Sequence, residues 1–297
     1  MSKQANRLPR VAALHDLSCF GRCALTVVLP TLAAMGIQPI PLPTALLSTH
    51  TGGFTDLYFD DLTPEMEAIS AHWQTLGLDF EAIYIGFLGS APQIDVVERF
   101  IDQFRAGSLV LIDPVMGDDG LLYSTYTLEM VGRVRELCAH ADLITPNLTE
   151  ACFLLDEPWR DISAMPAEEA SAWGNELLER LLGLGAGAVV LTGLQKGASI
   201  SVSGAIGDAR FTCTHPYIHA GYPGTGDLFA SVLLGHLLKA GRMTADTLRT
   251  AADLAARFTG SAITHTLHAN TPVRDGVLFE AILHELFPCA EPAQDTH

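Results

Sequence analysis

The chain has 297 residues, of which 48% are hydrophobic and 17% are charged. This length and composition predict one large or two small α/β domains with a sizeable core, and they exclude a disordered chain. The formal charge of −17 argues against a nucleic-acid or anionic-membrane surface. Any polyphosphate ligand would have to be held locally, by backbone N–H groups, a metal ion and a few cations.

Six cysteines occur without a Cys-x-x-Cys pair, which favours reduced thiols in a cytosolic protein. Cys19 and Cys23 lie four residues apart, but no further Cys or His follows at ligand spacing, which favours ordinary thiols over a metal or reactive pair. The polar, basic N-terminus has no apolar region after it, and no apolar span of 18 residues occurs. We therefore expect a cytoplasmic protein without a membrane or nucleic-acid partner.

Predicted strands and helices alternate along the chain. The first half reads as a strand at 10–14, a helix at 21–35, a strand at 37–42 near a sheet edge, a hydroxyl-rich loop at 44–54, a helix at 63–76, a strand at 82–85, a helix at 92–104 and a strand at 108–112. The second half reads as a flexible loop at 120–126, a helix at 128–140, a strand at 141–144, helices after 145–150 and at 166–182, a strand at 188–192, a hairpin of 198–202 and 209–214, and a helix at 247–266.

This alternation predicts an α/β fold: a doubly wound, mostly parallel central sheet with helices on both faces, in a single domain over 10–287. A flexible tail is expected at 1–9, and a second tail at 288–297. Ligands of such sheets bind beyond the carboxyl ends of the strands. Polar or aromatic candidates follow a predicted strand or open a helix at seven positions: Asp16, Phe87, Asp113, Asn147, Glu150, Thr192 and Asp227.

The stretch Gly221-Tyr222-Pro223-Gly224-Thr225-Gly226-Asp227 precedes an apolar run that reads as a buried helix. Glycines at a helix N-terminus let free backbone N–H groups approach an anion closely. A carboxylate would repel such an anion. Its presence at Asp227 is explained if Asp227 takes a proton from an attacking hydroxyl. The alternative is that Asp227 only caps the helix, and spacing alone leaves both interpretations open. The stretch is not a Walker A loop, because no Gly-Lys-Ser/Thr follows.

Four other candidate residues have a structural alternative. Asp113 and Glu150, at strand ends near Asn147, offer the oxygen ligands that suit Mg²⁺, but both could be helix-capping acids. His50 could be a base or a structural hydrogen-bonding group of its loop. Phe87 could stack on a flat ring or belong to the core.

Six motifs together resemble the pyridoxal (pyridoxine, pyridoxamine) kinase family of the ribokinase superfamily. They are His15-Asp16-Leu17-Ser18, Ser48-Thr49-His50-Thr51-Gly52, Gly86-Phe87-Leu88-Gly89-Ser90, Asp113-Pro114-Val115-Met116-Gly117, Thr145-Pro146-Asn147-Leu148-Thr149-Glu150 and Gly224-Thr225-Gly226-Asp227. They occur in the family's order between about residues 10 and 285. The Asp-Pro-Val-Met-Gly and Gly-Thr-Gly-Asp motifs are shared with hydroxymethylpyrimidine kinases.

The resemblance implies ATP- and Mg²⁺-dependent phosphorylation of the 5′-hydroxymethyl group of a B6 vitamer by a homodimer. It leaves open whether a monovalent cation such as K⁺ is also required. The implied roles are a base at Asp227, an anion hole at Gly224, Thr225 and Gly226, metal and ATP phosphate binding at Asp113 and Glu150, nucleotide contacts at Asn147, Thr192 and Gly193, and substrate contacts at Asp16, Ser18, His50, Thr51 and Phe87. The segment from Gly117 to Tyr126 would be a flap over ATP.

Three departures from the family pattern concern mainly the substrate. Asp16 stands where the family usually has Ser, and Ser18 follows two residues later. The segment Gly21-Arg22-Cys23-Ala24-Leu25 replaces Gly-x-x-Gly-Asn, and Gly193-Leu194-Gln195-Lys196 stands where a Ser or Lys often contacts the nucleotide. The alternatives are therefore a hydroxymethylpyrimidine kinase of thiamine synthesis, a sugar kinase, and a non-catalytic vitamer-binding protein.

Overall fold

The computed structural model describes residues 7–287, and its centre is a nine-stranded sheet. The strands are β1 (Arg10–Phe20), β2 (Gln38–Thr49), β3 (Phe59–Asp61), β4 (Ala82–Ile85), β5 (Leu109–Ile112), β6 (Gly117–Asp118), β7 (Leu121–Leu122), β8 (Leu143–Ile144), β9 (Ala188–Lys196), β10 (Ser199–Ile206) and β11 (Ala209–Pro216). The sheet order is β11-β10-β9-β8-β5-β4-β1-β2-β3, while β6 and β7 form a separate hairpin. The predicted strand next to the sheet edge is β2.

Eight α-helices lie within this part of the chain: α1 (Leu25–Ala34), α2 (Thr63–Thr75), α3 (Ala91–Phe104), α4 (Leu128–Cys138), α5 (Leu148–Leu154), α6 (Ala167–Leu182), α7 (Thr225–Ala240) and α8 (Ala245–Ala269). The pairs β1–β2, β1–β4, β4–β5, β5–β8 and β8–β9 are parallel, and the remaining pairs are antiparallel. The predicted mostly parallel α/β sheet is confirmed. No helix within residues 7–287 has both the length and the apolar character needed to cross a membrane.

The sheet separates two apolar cores, as expected for a doubly wound fold. One core packs α2 to α6 on one face, with Phe100 and Leu177 fully buried. The other packs α1, α7 and α8 on the opposite face, with Val28 and Leu233 fully buried. Helices on both faces leave the carboxyl ends of the parallel strands as the open edge for a ligand.

The first two strands are longer than the sequence indicates. The predicted strand at 10–14 continues to Phe20, and the predicted loop from 44 is strand as far as Thr49. The cause is the pairing of β1 with β2, which aligns Ser18 with Leu47 and Phe20 with Thr49. Backbone pairing at the centre of a sheet outweighs the polar composition of these residues. The register shifts between His15 and Leu17, so Asp16 lies at a β-bulge.

Of the predicted N-terminal tail, residues 7–9 are described. Arg7 forms ion pairs with Asp79 and Glu81, at 2.6 and 2.8 Å, and the Pro9 carbonyl accepts a hydrogen bond from the Gln38 N–H group. The rest of that tail and the predicted C-terminal tail at 288–297 lie outside the described residues.

Candidate active site at the carboxyl ends of the strands

The glycine motif forms the N-terminus of α7, as predicted. Gly224 is the residue before the helix and has a φ of +84°. A Cβ atom on Gly224 would lie 2.2 Å from the carbonyl oxygen of Arg22, so a side chain is excluded there by backbone conformation and by space. The first N–H groups of a helix have no intrahelical acceptor. Those of Thr225 and Gly226 are therefore available to an anion.

Asp227 lies in the first turn of α7 with 14% of its side chain exposed. Its Oδ2 atom accepts a hydrogen bond of 2.8 Å from the backbone N–H group of Ala24, and no side chain caps α7. The helix-capping interpretation of Asp227 is therefore wrong. Burial raises the pKa of Asp227 to about 6, although the Ala24 hydrogen bond opposes this. A carboxylate with this pKa is suited to act as a base near neutral pH.

Ala24, which holds Asp227, has an unusual backbone conformation. Its φ is +47° and its ψ is −132°, a region that residues with a side chain rarely adopt. Ala24 stands at the second glycine of the family's Gly-x-x-Gly-Asn pattern. This conformation directs its N–H group at a carboxylate 203 residues further along the chain. Strain of this kind persists where the surrounding structure enforces it, commonly at functional sites.

Asp16 and Ser18 lie in β1, which is bulged at Asp16. Asp16 is 6% exposed, and its Oδ2 atom accepts a hydrogen bond of 2.8 Å from the hydroxyl of Ser18. Burial raises the pKa of Asp16 to about 7; the Ser18 hydrogen bond opposes this shift and the charge of Asp227 adds to it. Bulges next to active sites commonly redirect a side chain. The result is a second buried carboxyl group beside the candidate base.

His50 is engaged by the protein itself. Its Nδ1 atom accepts a hydrogen bond of 3.0 Å from the Gly52 N–H group, so Nε2 donates to the Arg274 carbonyl at 2.7 Å. The ring therefore links the end of β2 to the C-terminal segment. Thr51, next to it, is partly buried. Phe87 is 7% exposed and packs edge to face against Tyr126 in the core, at a centroid distance of 6.1 Å.

Asp113 and Glu150 are buried together on the nucleotide side of the predicted site. Asp113 accepts a hydrogen bond of 2.9 Å from the Thr145 hydroxyl. Burial raises the pKa of Asp113 to about 7, with a further contribution from the charge of Asp227. Burial, and then the charge of Asp113, hold the pKa of Glu150 well above its usual range. A bound cation would relieve this repulsion.

Glu150 also has the helix-capping role that its sequence spacing allows. It forms a capping box with Asn147, whose backbone N–H donates to Glu150 Oε2 at 2.8 Å while Asn147 Oδ1 accepts from the Glu150 N–H at 2.8 Å. Glu150 Oε1 accepts a further hydrogen bond from the Met116 N–H at 3.3 Å. A carboxylate has about four acceptor positions, so capping and metal binding are compatible.

The chemistry of these two acids fits Mg²⁺. Within residues 7–287 no group of three or more His, Cys, Asp or Glu has the arrangement of a metal site. Mg²⁺ usually takes only one or two carboxylates and completes its shell with waters and substrate phosphates. Asp113 and Glu150 are such a pair.

A cavity of about 300 Å³ lies beside Asn147, between α5 and β9. Its lining includes Asn147 and Gly193, two of the predicted nucleotide residues, together with Gln195. Thr192, at the end of the parallel part of β9, donates its backbone N–H to the Pro146 carbonyl at 3.0 Å. Lys196 is bound to the carbonyls of Ser163 and Met165. Its ammonium group is therefore engaged by backbone carbonyls and not directed at the cavity.

The predicted flap contains the β6–β7 hairpin. Its Gly120 N–H donates to the hydroxyl of Thr149 at 2.9 Å, which attaches the hairpin to the first turn of α5. The hairpin therefore lies next to the nucleotide candidates, where a cover would exclude water.

Sequence reasoning missed His15 as a site residue. His15 is fully buried, and its Nδ1 atom lies 3.9 Å from Oδ1 of Asp227. The available signal was its position directly before Asp16 at the end of a strand. The sequence predicts that the strand ends at Leu14, which gives no reason to direct the His15 ring inward.

Comparison with known proteins agrees with this arrangement. The family model described as phosphomethylpyrimidine kinase matches residues 25–275. A Bacteroides thetaiotaomicron protein, provisionally named a phosphomethylpyrimidine kinase, is 42% identical, covers 99% of this chain and 98% of its own, and has a TM-score of 0.86. A second crystal form under the same name, described as containing pyridoxal, has a TM-score of 0.85, with 94% and 96% covered at 42% identity.

Two pyridoxal kinases are also similar to the chain. The structure of pyridoxal kinase from Lactobacillus plantarum is 32% identical, covers 94% of this chain and 97% of its own, and has a TM-score of 0.82. The pyridoxine/pyridoxal/pyridoxamine kinase of Bordetella avium is 27% identical in an alignment of 293 positions that covers 92% of this chain and 92% of its own.

The sheet order, the glycine motif at α7 and the row of buried carboxylates define a kinase of the ribokinase fold. The chain belongs to the phosphomethylpyrimidine kinase family, and its resemblance to the pyridoxal kinases is confirmed. The predicted phosphotransferase class is confirmed with it.

Proposed function

We propose that the protein transfers the γ-phosphoryl group of ATP to the 5′-hydroxymethyl group of a B6 vitamer. The observation that carries the proposal is the position of Asp227. Its carboxylate, with a pKa of about 6, lies in the first turn of a helix whose N-terminal residues are Gly224, Thr225 and Gly226. A pure binding protein has no use for a buried base beside an anion hole.

The residues divide the chemistry between them. Asp227 takes the proton of the hydroxymethyl group as the oxygen attacks the γ-phosphorus. The N–H groups of Thr225 and Gly226 donate to the oxygens of the phosphoryl group as it is transferred, and the helix dipole adds to their effect. Closure of the β6–β7 hairpin would keep water out.

Mg²⁺ is the proposed metal, with Asp113 and Glu150 as its protein ligands. When bound, it supplies positive charge that offsets the phosphate charge of ATP and of the transition state. The contacts of Lys196 support this role, because its ammonium group is bound to the carbonyls of Ser163 and Met165 rather than free to offset phosphate charge. Asn147, Thr192 and Gly193 are proposed to contact the nucleotide. Whether the activity also requires K⁺ is to be tested by assay.

The B6 vitamer is favoured over other substrates by two relatives. One is the Bacteroides structure described as containing pyridoxal, and the other is the Lactobacillus pyridoxal kinase. Ser18, His50, Thr51 and Phe87 remain proposed substrate residues, with His50 acting through the loop that it holds. A hydroxymethylpyrimidine substrate is the second candidate, because the matching family model is named for phosphomethylpyrimidine kinase.

Asp16 bears on the choice among vitamers. A buried carboxyl group with a pKa near 7 gains most from a ligand that brings a positive charge. We therefore propose that the amine of pyridoxamine is favoured over the aldehyde of pyridoxal. The variant Asp16→Ser restores the usual family residue, and the ratio of kcat/KM for pyridoxamine to that for pyridoxal should fall in it. An unchanged ratio would remove Asp16 from substrate selection.

The deciding experiment measures ADP release with Mg²⁺ and ATP against pyridoxal, pyridoxine, pyridoxamine, hydroxymethylpyrimidine and ribose, each separately. A B6 vitamer with the highest kcat/KM supports the proposal. Turnover of the pyrimidine alone would place the enzyme in thiamine synthesis, and turnover of ribose alone would make it a sugar kinase. Binding without turnover of any of them would favour a non-catalytic vitamer-binding protein.

We further propose a cytoplasmic homodimer. The cysteines of the described residues are free thiols, as in a reducing compartment. Two aromatic side chains at the short edge strand β3 are candidates for the contact between subunits. They are Phe59, which is 36% exposed, and Tyr58, which is 59% exposed. Light scattering at micromolar concentration tests the dimer, and a monomer there would contradict it.

A further inference from the structure

His15 is a buried polar side chain that the proposed mechanism does not use. It is fully buried in β1, and neither ring nitrogen has a hydrogen-bond partner within residues 7–287. Buried polar groups in native proteins are nearly always paired, since leaving one unpaired costs its full desolvation penalty. Its surroundings therefore indicate a partner with which it pairs in the working enzyme.

The carboxylate of Asp227 lies close to the ring. The Nδ1 atom of His15 lies 3.9 Å from Oδ1 of Asp227, while the other carboxylate oxygen is held by the Ala24 N–H group at 2.8 Å. Burial lowers the pKa of His15 to about 3, so the ring is neutral. A neutral imidazole has one N–H donor, and only the tautomer with the proton on Nδ1 directs that donor at the carboxylate.

The position of the His15 ring is fixed by close packing. The ring packs edge to face against Tyr84, with centroids 4.3 Å apart. A Cβ atom on Gly86 would lie 2.1 Å from Nδ1 of His15, so only glycine leaves room for the ring. Rotation of the Asp227 side chain about the Ala24 hydrogen bond would close the 3.9 Å separation.

We propose that His15, as the neutral Nδ1–H tautomer, is a positioning residue that donates a hydrogen bond to Oδ1 of Asp227. With the Ala24 N–H group it holds the carboxylate at both oxygens, which leaves the remaining acceptor positions for the substrate hydroxyl. Hydrogen bonds to a carboxylate favour its ionised form and oppose the effect of burial. His15 thereby keeps the base ionised at neutral pH. This inference rests on the proposed role of Asp227.

Other titratable groups face the pair from each neighbouring element. They are Asp16 on β1, Cys23 before α1, Tyr84 on β4 and Asp113 at the end of β5. None of these groups is positively charged at neutral pH. The Ala24 N–H group and the N-terminus of α7 therefore favour the ionised form of Asp227, and a hydrogen bond from His15 would add to their effect.

The test compares His15→Leu with His15→Gln, whose carboxamide keeps an N–H donor. In His15→Leu we expect kcat to fall by about tenfold or more, KM values to stay within about threefold, and the acidic limb of the kcat/KM profile to move to higher pH. His15→Gln should recover most of kcat and the position of the limb. Tyr84→Phe removes a buried hydroxyl from the same layer but keeps its ring, so it should leave the limb in place.

Equal losses of kcat in both variants with an unmoved limb would overturn the inference, because they indicate a space-filling role. If the variants do not fold, ¹⁵N NMR of the wild-type imidazole decides: the Nδ1–H tautomer supports the inference and the Nε2–H tautomer overturns it. Failure of the proposed function is distinguishable, because the wild-type enzyme would then lack turnover with every hydroxymethyl substrate.

Discussion

The two sides of Asp227 are built in different ways. On one side, Gly224, Thr225 and Gly226 are its immediate neighbours, and their N–H groups lie at the start of the same helix. On the other side, the N–H group that holds its carboxylate belongs to Ala24, 203 residues earlier. The first side is a product of local sequence, whereas the second depends on the pairing of β1 with β2 and on where α7 packs.

The difference also appears in how the two sides tolerate charge. The helix N-terminus presents N–H donors and a positive dipole end, which attract anions. The β1 side presents Asp16, and its burial raises that carboxyl's pKa to about 7. An anionic phosphoryl group is therefore favoured on one side of the base, and a cationic or neutral substrate group on the other.

The largest expected effect tests the base that both sides share. Asp227→Asn keeps an acceptor for the Ala24 N–H group but removes the proton acceptor, so kcat should fall by about 10²–10⁴-fold. Steady-state assay and calorimetric titration measure turnover and binding of ATP and vitamer, and binding should change by less than about threefold. Loss of binding with unchanged turnover would show that Asp227 has been assigned the wrong role.

The next effect tests the contact that joins the two sides. Gly224→Ala places a Cβ atom 2.2 Å from the Arg22 carbonyl at a φ of +84°, and strain of this kind costs about 1–3 kcal/mol before the clash is added. We expect the melting temperature to fall by more than about 4 °C. Gly226→Ala is the matched control, because nothing lies within 4 Å of its Cβ position. Equal melting temperatures for the two variants would contradict the close approach.

A smaller effect is expected on the metal side. Asp113→Asn should raise the Mg²⁺ concentration for half-maximal activity by about tenfold, which is about 1.4 kcal/mol of binding free energy. Titration of activity with MgCl₂ at saturating ATP measures it. Asp246→Asn, at an exposed position in the first turn of α8, is the control. An unchanged Mg²⁺ requirement in Asp113→Asn would remove this residue from the metal site.

The smallest effect concerns the stability of the ligand-free protein on the β1 side. The pKa of Asp16 is raised to about 7 in the folded chain, from an ordinary value of 3.8. Its contribution to stability is therefore fully present below about pH 4 and is lost as the pH rises through about 7. Asp16→Asn, which stays neutral, should melt at least about 2 °C above the wild type at pH 8 and at nearly the same temperature at pH 4. A pH-independent difference would contradict the raised pKa.

Much of the molecule follows from short-range pattern. The helix at 63–76, the strand at 82–85 and the helix at 166–182 were predicted within about two residues of α2, β4 and α6. The two helices have apolar residues at helical spacing and a proline at or before the first turn, and the strand is a short apolar run. Local signals of this kind depend little on the rest of the fold.

The predictions that failed lie where distant chain segments meet. The predicted first strand ends at Leu14 and a loop is predicted from Thr44, yet β1 and β2 pair along both segments. The capping interpretation of Asp227 failed for the same reason, since its partner Ala24 is remote in sequence. Both outcomes depend on neighbours that no local pattern specifies.

The sequence by itself determined the α/β class, the parallel sheet and the glycine motif at the start of α7. These follow from hydrophobic period and from glycine at a helix terminus, which are properties of neighbouring residues. Only the tertiary structure decided that Asp16 lies at a bulge, that Ala24 holds the Asp227 carboxylate and that His15 lies within 3.9 Å of it. The physical reason is that burial and hydrogen-bond partners, which set the charge and direction of these groups, come from strands and helices far apart in the chain.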